Sequence, residues 1–283
     1  MSRFEIKTPA QLEVMRAAGL VVAGTLGTLA QAIEPGITTG ELDRIAEREI
    51  RAAGATPSFK GYQGYPATIC TSVNDEVVHA IPTQHRRLRD GELISIDCGA
   101  IVGGWHGDAA ITVGVGAITR EHAELLQACE AALWQGIAQA RPGGRIGDVS
   151  HAVEQAVRAA GQRRGAGYRL AEGYTGHGIG SQMHMDPSVP NCGPPGRGPR
   201  LVPGMALAIE PMVVAGRGET VVLADDWTVV TADGGWAAHF EHTVAITPDG
   251  PWVLTAIAGL GDNRVPQQSG IERGGSTPGH TGG

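Results

Sequence analysis

The sequence has no paired cysteines, no long basic run and no uninterrupted apolar stretch of membrane length, and each lack excludes a class of protein. Cys70, Cys98, Cys129 and Cys192 are scattered, with no C-x-x-C pair. In a chain of 283 residues they read as reduced thiols, which makes the cytoplasm the simplest compartment. The formal net charge is −7, so a nucleic-acid partner held by a general electrostatic surface is not expected. The most apolar stretch, Gly19 to Ile33, is broken by Gly24, Thr25, Gly27, Thr28 and Gln31. It falls short of the ~20 apolar residues that cross a bilayer, so no membrane association is expected. The opening residues, Met1-Ser2-Arg3-Phe4-Glu5-Ile6-Lys7, carry no apolar signal core.

What is present fits a soluble globular protein, with 42% hydrophobic and 18% charged residues. The length allows one large domain or two fused halves. Many of the 43 glycines fall late in the chain, where Gly-Gly-Ser-Thr-Pro-Gly offers nothing to pack. A single domain over 1–264 is expected, with 265–283 as a disordered glycine-rich tail.

The middle of the chain repeats its punctuation. Thr8-Pro9 caps a first helix that ends near Glu34-Pro35-Gly36, and Thr38 with Glu41 forms a capping box for a second, ending at Ala53-Gly54. Strands are expected over Ala67–Val73, Glu76–Val78, Glu92–Asp97 and Ala109–Val115. A helix from Thr119 then ends near Arg141-Pro142-Gly143, and another begins near Gly147 and stops at Ala160-Gly161. Pro35-Gly36-x-x-x-Gly40-Glu41-Leu42 and Pro142-Gly143-x-x-x-Gly147-Asp148-Val149 stand at one offset of 107, as do Ala53-Gly54 and Ala160-Gly161. Further strands follow at Met205–Pro211, Thr220–Val222, Trp227–Thr231 and Phe240–Thr247. This order predicts an α+β fold of two pseudo-symmetric halves, about 8–115 and 119–247, around a central sheet.

Acids stand where strands should be. Asp97 follows Leu93-Ile94-Ser95-Ile96, Asp108 precedes Ala109-Ala110-Ile111, Glu210 follows Met205–Ile209, and Glu241 precedes His242–Ile246. An ionised carboxylate inside an apolar strand costs several kcal/mol unless it is paired or metal-bound. Each half supplies two such acids and few lysines or arginines lie nearby, so metal coordination is the economical explanation. His177, in Gly176-His177-Gly178-Ile179-Gly180, and His184 stand seven residues apart in a glycine-rich segment, and His79 follows Val77-Val78. His85, His106, His122, His151, His239, His242 and His280 read as ordinary hydrogen-bonded histidines.

Over roughly residues 4–260 the chain resembles the methionine aminopeptidase family in its bacterial type I form. The matching segments are Gly61-Tyr62-x-Gly64-Tyr65-Pro66, Asn74-Asp75-Glu76-Val77-Val78-His79-x-Ile81-Pro82, Ile96-Asp97-Cys98-Gly99, Gly107-Asp108, Gly176–Gly180, Ala208-Ile209-Glu210-Pro211 and Glu241-His242-Thr243. The resemblance implies the pita-bread fold, with a central antiparallel sheet, and a dinuclear centre. Asp97, Asp108, His177, Glu210 and Glu241 would hold two divalent ions (Fe(II), Mn or Co, with Zn or Ni as further candidates), Asp108 and Glu241 bridging them. It also implies hydroxide attack on the first peptide carbonyl, with Glu210 as proton relay, His184 donating to the oxyanion and His79 at the scissile amide. Phe59, Tyr62, Tyr65, Cys70, His79, His184 and Trp227 would contact the substrate, a polypeptide beginning with methionine and followed by a small residue. Nascent chains at the ribosome are the expected partners and a monomer the expected state.

Several positions depart from that pattern. Phe59 stands where many relatives have cysteine, Ala80 replaces a usual glycine, and the 193–200 loop, Gly-Pro-Pro-Gly-Arg-Gly-Pro-Arg, looks long. With no basic or cysteine-rich extension before it, the chain is expected to be a bare catalytic domain. Two alternatives remain at this level: a proline-specific peptidase on the same fold, and a non-catalytic binding module of that fold.

Overall fold

The structure is a computed structural model and describes residues 4–164 and 167–256, so the expected disordered tail lies outside the described residues. The first helix, α1 (Pro9–Ala32), begins where the Thr8 hydroxyl accepts from the Gln11 amide and the Gln11 side chain accepts from the Thr8 amide. Thr38 and Glu41 make the same reciprocal cap for α2 (Thr39–Ala52). Gly54, at φ +72°, ends that helix in the left-handed conformation glycine adopts cheaply.

After α2 come β1 (Thr56–Pro57), β2 (Ile69–Val73), β3 (Glu76–Val78), β4 (Leu93–Val102) and β5 (Trp105–Gly114). Next are α3 (Arg120–Gln139) and α4 (Ile146–Arg164). The second run of strands is β6 (Tyr168–Leu170), β7 (Thr175–Gly178), β8 (Met185–Pro190), β9 (Ala206–Ile209), β10 (Met212–Ala215), β11 (Thr220–Val222), β12 (Val229–Thr231), β13 (Ala237–His239), β14 (Glu241–Thr247) and β15 (Gly250–Val253). The ends of α1 and α3, Ala32 and Gln139, stand 107 residues apart, as do the starts of α2 and α4, Thr39 and Ile146.

Three expectations are corrected. Helix α4 passes Gly161 and runs to Arg164; a lone glycine costs a helix only about 1 kcal/mol, and Gly161 is not at a left-handed cap. Strand β4 continues past Asp97 to Val102, and β5 begins at Trp105, ahead of Asp108. The two join through Gly103 and Gly104, at φ +55° and +83°, the two positive angles that a two-residue hairpin turn of this twist requires. Both acids therefore sit inside strands. Finally, α1 is long and apolar enough by length and composition to cross a bilayer. Here it buries Met15, Ala18, Val22, Leu26 and Leu29 in the core and leaves Gly24 and Gln31 exposed.

The main sheet runs β1-β4-β5-β14-β9-β7-β8, with β2 also on β4 and β15 on β14, all antiparallel. Two small sheets, β13-β10-β6 and β11-β12-β3, flank it. Apolar residues of α1 and α2 pack with those of β2, β4 and β5, while α3 and α4 pack with strands of the second half. Strand β5 comes very close to α1: a Cβ at Gly107 would lie 2.7 Å from the Gly19 nitrogen and 2.9 Å from the Ala18 carbonyl carbon. Only a residue without a side chain fits at that crossing, one position before Asp108.

Candidate active site

Strand register alone brings the acids together. Paired residues in an antiparallel sheet point to the same face. Cys70 pairs with Asp97, Asp97 with Ala110, and Ala110 with Glu241. Glu210 lies opposite Glu241, between the segments where β9 pairs with β14 and β10 with β13. The neighbouring row contains Gly99, Asp108, Thr243, Ala208 and His177; the Asp108–Thr243 step is closed by the Thr243 hydroxyl, which accepts from the Asp108 amide (3.0 Å) and donates to its carbonyl (2.8 Å). Two adjacent rows on one face thus present Asp97, Glu241, Glu210, Asp108 and His177, with alanines between the acids where a larger side chain would fill the space.

The histidine is held by close packing of its neighbours. A Cβ on Gly176 would strike the Ala208 carbonyl, and one on Gly178 the Asp186 carbonyl. His177 Nδ1 lies 3.0 Å from the Gly178 carbonyl, which can only accept, so Nδ1 carries the proton and Nε2 presents a lone pair. That lone pair faces Glu210 Oε1 at 3.5 Å. Burial, then the neighbouring His184, hold His177 down at about 4, so it is neutral.

A lone pair aimed at a carboxylate is repulsive unless a proton or a cation lies between them. The acids give the same signal. Burial pushes Asp97 up to about 7, and it pushes Asp108, Glu210 and Glu241 well above the usual carboxylate range, with the other acids of the group raising each further. Asp97 Oδ1, Asp108 Oδ1 and Glu241 Oε1 are buried without a hydrogen-bond partner. Among the described residues, the basic side chains within 4 Å of Glu210 are two neutral imidazoles, and no lysine or arginine pairs with any of the four. Ligand atoms of Asp108, His177 and Glu241 lie within 4.8 Å of one another. Orphaned oxygens and an oxygen-rich donor set with one imidazole fit a hard or borderline divalent ion.

The group opens into a cavity of about 150 Å³, lined by Phe59, Tyr62, Tyr65, Cys70, His79, Asp97, Asp108, His177, His184, Glu210, Trp227 and Glu241, together with Gln63 and Met183. This is room for one side chain, well below the 300–1,000 Å³ of sites for larger ligands. Phe59, Tyr65, Cys70 and Met183 are buried together as its apolar wall. The Tyr65 and Trp227 rings meet edge-on at 4.9 Å, and the Tyr65 hydroxyl is satisfied by the Ile69 and Ala80 carbonyls. Burial, then Asp97, push the Cys70 thiol well up, so it remains a neutral part of that wall.

On the polar side, His184 Nδ1 lies 3.0 Å from the Tyr62 hydroxyl, and its ring is 4.3 Å from that of His177. His79 is a non-glycine residue at φ +61°, a conformation costing roughly 1–2 kcal/mol, and burial holds it down at about 4. The larger groove between α3 and α4, about 730 Å³, has Glu124 and Asp148 among glutamines and alanines, and neither acid is buried. The 193–200 loop lies on the first turn of α4, where Ile146 and Gly147 donate to the Pro199 and Arg197 carbonyls, and none of its residues lines the cavity.

Three residues were missed from sequence: Gln63, which lines the cavity beside Tyr62, Met183 and His239. Met183 hides in a segment without periodicity. His239, read as an ordinary structural histidine, is buried with Nε2 unpartnered and 3.8 Å from Glu210 Oε2. Strand alternation carried a signal for it, since His239 and Glu241 are two residues apart.

Comparison with known proteins agrees with this geometry. Residues 13–248 match the model of metallopeptidase family M24. Methionine aminopeptidase 1 of Mycobacterium tuberculosis is 55% identical over 249 residues, covering 88% of this chain and 94% of that protein. Methionine aminopeptidase 1 of Bacillus subtilis is 50% identical over 251 residues, covering 89% and 98%. Among solved structures, methionine aminopeptidase from Thermotoga maritima superposes with a TM-score of 0.86 at 41% identity, covering 89% of this chain and 99% of that one. Prolidase from Pyrococcus furiosus, with a TM-score of 0.71 at 20% identity over 89% of this chain and 65% of that one, shares the pita-bread fold alone. With a buried acid cluster suited to a divalent ion and relatives at this identity over nearly their whole length, the chain belongs to metallopeptidase family M24, among the methionine aminopeptidases.

Proposed function

We propose that the chain removes the N-terminal methionine of nascent proteins using two divalent ions, and that it favours a small second residue. The observation that carries this is the convergence of Asp97, Asp108, His177, Glu210 and Glu241 at the floor of a cavity with an apolar wall and room for one side chain. Four ionised carboxylates carry a charge of about −4, which two dications balance and one leaves half uncompensated. Bound there, such ions polarise a carbonyl and make a nearby water acidic enough to supply hydroxide near neutral pH. Asp97, Asp108, Glu210, Glu241 and His177 Nε2 would hold them, Fe(II), Mn or Co being the best matches to this donor set.

The chain's own side chains supply the rest. The Glu210 carboxylate, beside His177, takes a proton from the attacking water and returns it to the leaving amine. His184, oriented by Tyr62 and neutral, donates a hydrogen bond to the developing oxyanion. His79 contacts the scissile amide from its constrained position above the floor. Tyr65, Cys70, Met183, Phe59 and Trp227 receive the thioether side chain, for which sulfur–aromatic contacts are favourable. A cavity with room for one side chain admits a single terminal residue, which confines cleavage to the end of the chain. A panel of Met-X-Ser peptides, run with Mn, Fe(II) and Co(II) on chelated and reconstituted protein, tests the reading. Cleavage should be restored by metal and confined to small X; equal cleavage at X = Ala and X = Lys would remove the specificity claim. Glu210→Gln should lower turnover by several orders of magnitude, and retention of a tenth of the activity would remove Glu210 from its role.

A further inference from the structure

His239 occupies a place that the fold has already used once. Asp108 and His239 are 131 residues apart, and so are Thr112 and Thr243. Thr243 clamps the backbone of Asp108, its hydroxyl accepting from the amide and donating to the carbonyl. Thr112 does the same for His239, accepting from its amide at 2.8 Å and donating to its carbonyl at 2.8 Å. The exchange is reciprocal across the β5–β14 junction, centred on the paired Ala110 and Glu241. His239 is therefore the second half's counterpart of an acid on the cavity floor.

Its imidazole is spent differently. Ser95 Oγ backs the Thr112 hydroxyl at 2.9 Å, so the one hydroxyl that makes both bonds to the His239 backbone is itself held in place. Its Nε2 is buried and without a partner, and the nearest acid oxygen is Glu210 Oε2 at 3.8 Å. Glu210 Oε1 faces the other way, toward His177 at 3.5 Å. The carboxylate thus lies between two imidazoles, one on the floor of the cavity and one behind it, while Asn191 Nδ2 donates to the Glu210 carbonyl at 3.0 Å.

We propose that His239 is a positioning residue for Glu210: its Nε2–H donates to the rear oxygen of the carboxylate, Oε2, and so aims the front oxygen, Oε1, at the metal-holding floor. At 3.8 Å the contact is longer than a hydrogen bond, and a small shift of the carboxylate brings Oε2 within reach of the buried, unpartnered imidazole nitrogen. The chemistry requires only a neutral N–H at this place. The inference rests on the reading of Glu210 as the proton-handling, metal-facing acid. Outer partners of this kind are worth about 10–100-fold in metal affinity or activity.

The test compares His239→Gln, which keeps an N–H donor, with His239→Met and His239→Leu, which do not, and with Glu210→Gln. Mn(II) is titrated calorimetrically into chelated protein, hydrolysis of Met-Ala-Ser is followed at saturating Mn(II), and Tm is recorded for each variant. His239→Met or His239→Leu should bind Mn(II) at least tenfold more weakly and lose about 10–100-fold in kcat, with KM within about threefold. His239→Gln should stay within about threefold of the original protein in both measurements. The proposal is overturned if a folded variant without the donor matches the original protein within twofold, or if His239→Gln falls as far as the others. If neither apolar variant folds, His239→Gln decides alone, and a loss beyond tenfold in either measurement overturns it. An active Glu210→Gln would instead overturn the reading of Glu210, whatever His239 does.

Discussion

Stripping the metal from this protein should make its stability fall as the pH rises through neutrality. Burial, reinforced by the neighbouring acids, holds Asp108, Glu210 and Glu241 well above the carboxylate range, and burial holds Asp97 at about 7. In the unfolded chain such groups titrate near 4. A group whose pKa is raised by folding binds more protons folded than unfolded, so its stabilisation is present at low pH and lost as the pH rises through the folded value. The buried histidines act in the opposite sense. His79, His177 and His242 are held at about 4 and His239 at about 3, so their contribution is lost only as the pH falls below about 6.5. Above that pH they are neutral in both states, and the acids alone set the slope.

Each acid still protonated then costs about 1.4 kcal/mol per pH unit. For a domain of this size one such acid lowers Tm by about 3–6 °C per unit. Scanning calorimetry of chelated protein at pH 6.5, 7.5 and 8.5 should therefore show a falling Tm. Protein with Mn(II) at a hundredfold excess over its Kd gains about 2.7 kcal/mol and should fall less, because a bound dication favours the ionised carboxylates that an empty site penalises. A metal-free Tm that stays level or rises over this range would refute the account of the acids as an uncompensated buried cluster.

Other outcomes follow from single positions. Asp108→Asn keeps the shape and removes the charge, and is expected to lower bound metal, measured by mass spectrometry of the digested protein, to below one ion per chain. Gly107→Ala puts a Cβ against the α1 backbone, an overpacking worth about 1–3 kcal/mol, and should lower Tm by about 2–12 °C in a melting curve. Trp227→Ala removes one side of the apolar wall and should reduce kcat/KM for Met-Ala-Ser about 10–100-fold, mostly through KM, in steady-state assays.

The acids were legible in the sequence because they break a physical rule in plain view. Asp97 and Glu241 adjoin runs of Ile, Leu, Val and Ala that only a strand in the core would use, and no cation stands near them in the chain. The helix caps were legible for a similar reason, since Thr8-Pro9 and Thr38-x-x-Glu41 satisfy backbone donors locally. Convergence was less visible. It depends on the register β4-β5-β14-β9-β7, which arises between strands far apart in sequence. Strands of three or four residues, such as β6 and β13, are too short to show alternation by themselves, so the facing of His239 could be read only from its two-residue spacing to Glu241. The extension of β4 beyond Asp97 was masked because Gly99 weakens the strand pattern, although a Cβ there would collide with Ser58 and Phe59.

The joint between the halves is narrow. Strands β4 and β5 share ten ladder pairs, whereas β5 meets β14 through Glu241 with Ala110 and His242 with Ala109, extended by the threonine clamps on either side. The acids proposed to hold the ions straddle this short ladder, Asp97 and Asp108 from one half and Glu210 and Glu241 from the other. A bound ion would therefore act as a rivet through a two-pair ladder, and its departure should loosen the amides of 108–110 and 239–243 ahead of the helices that flank them.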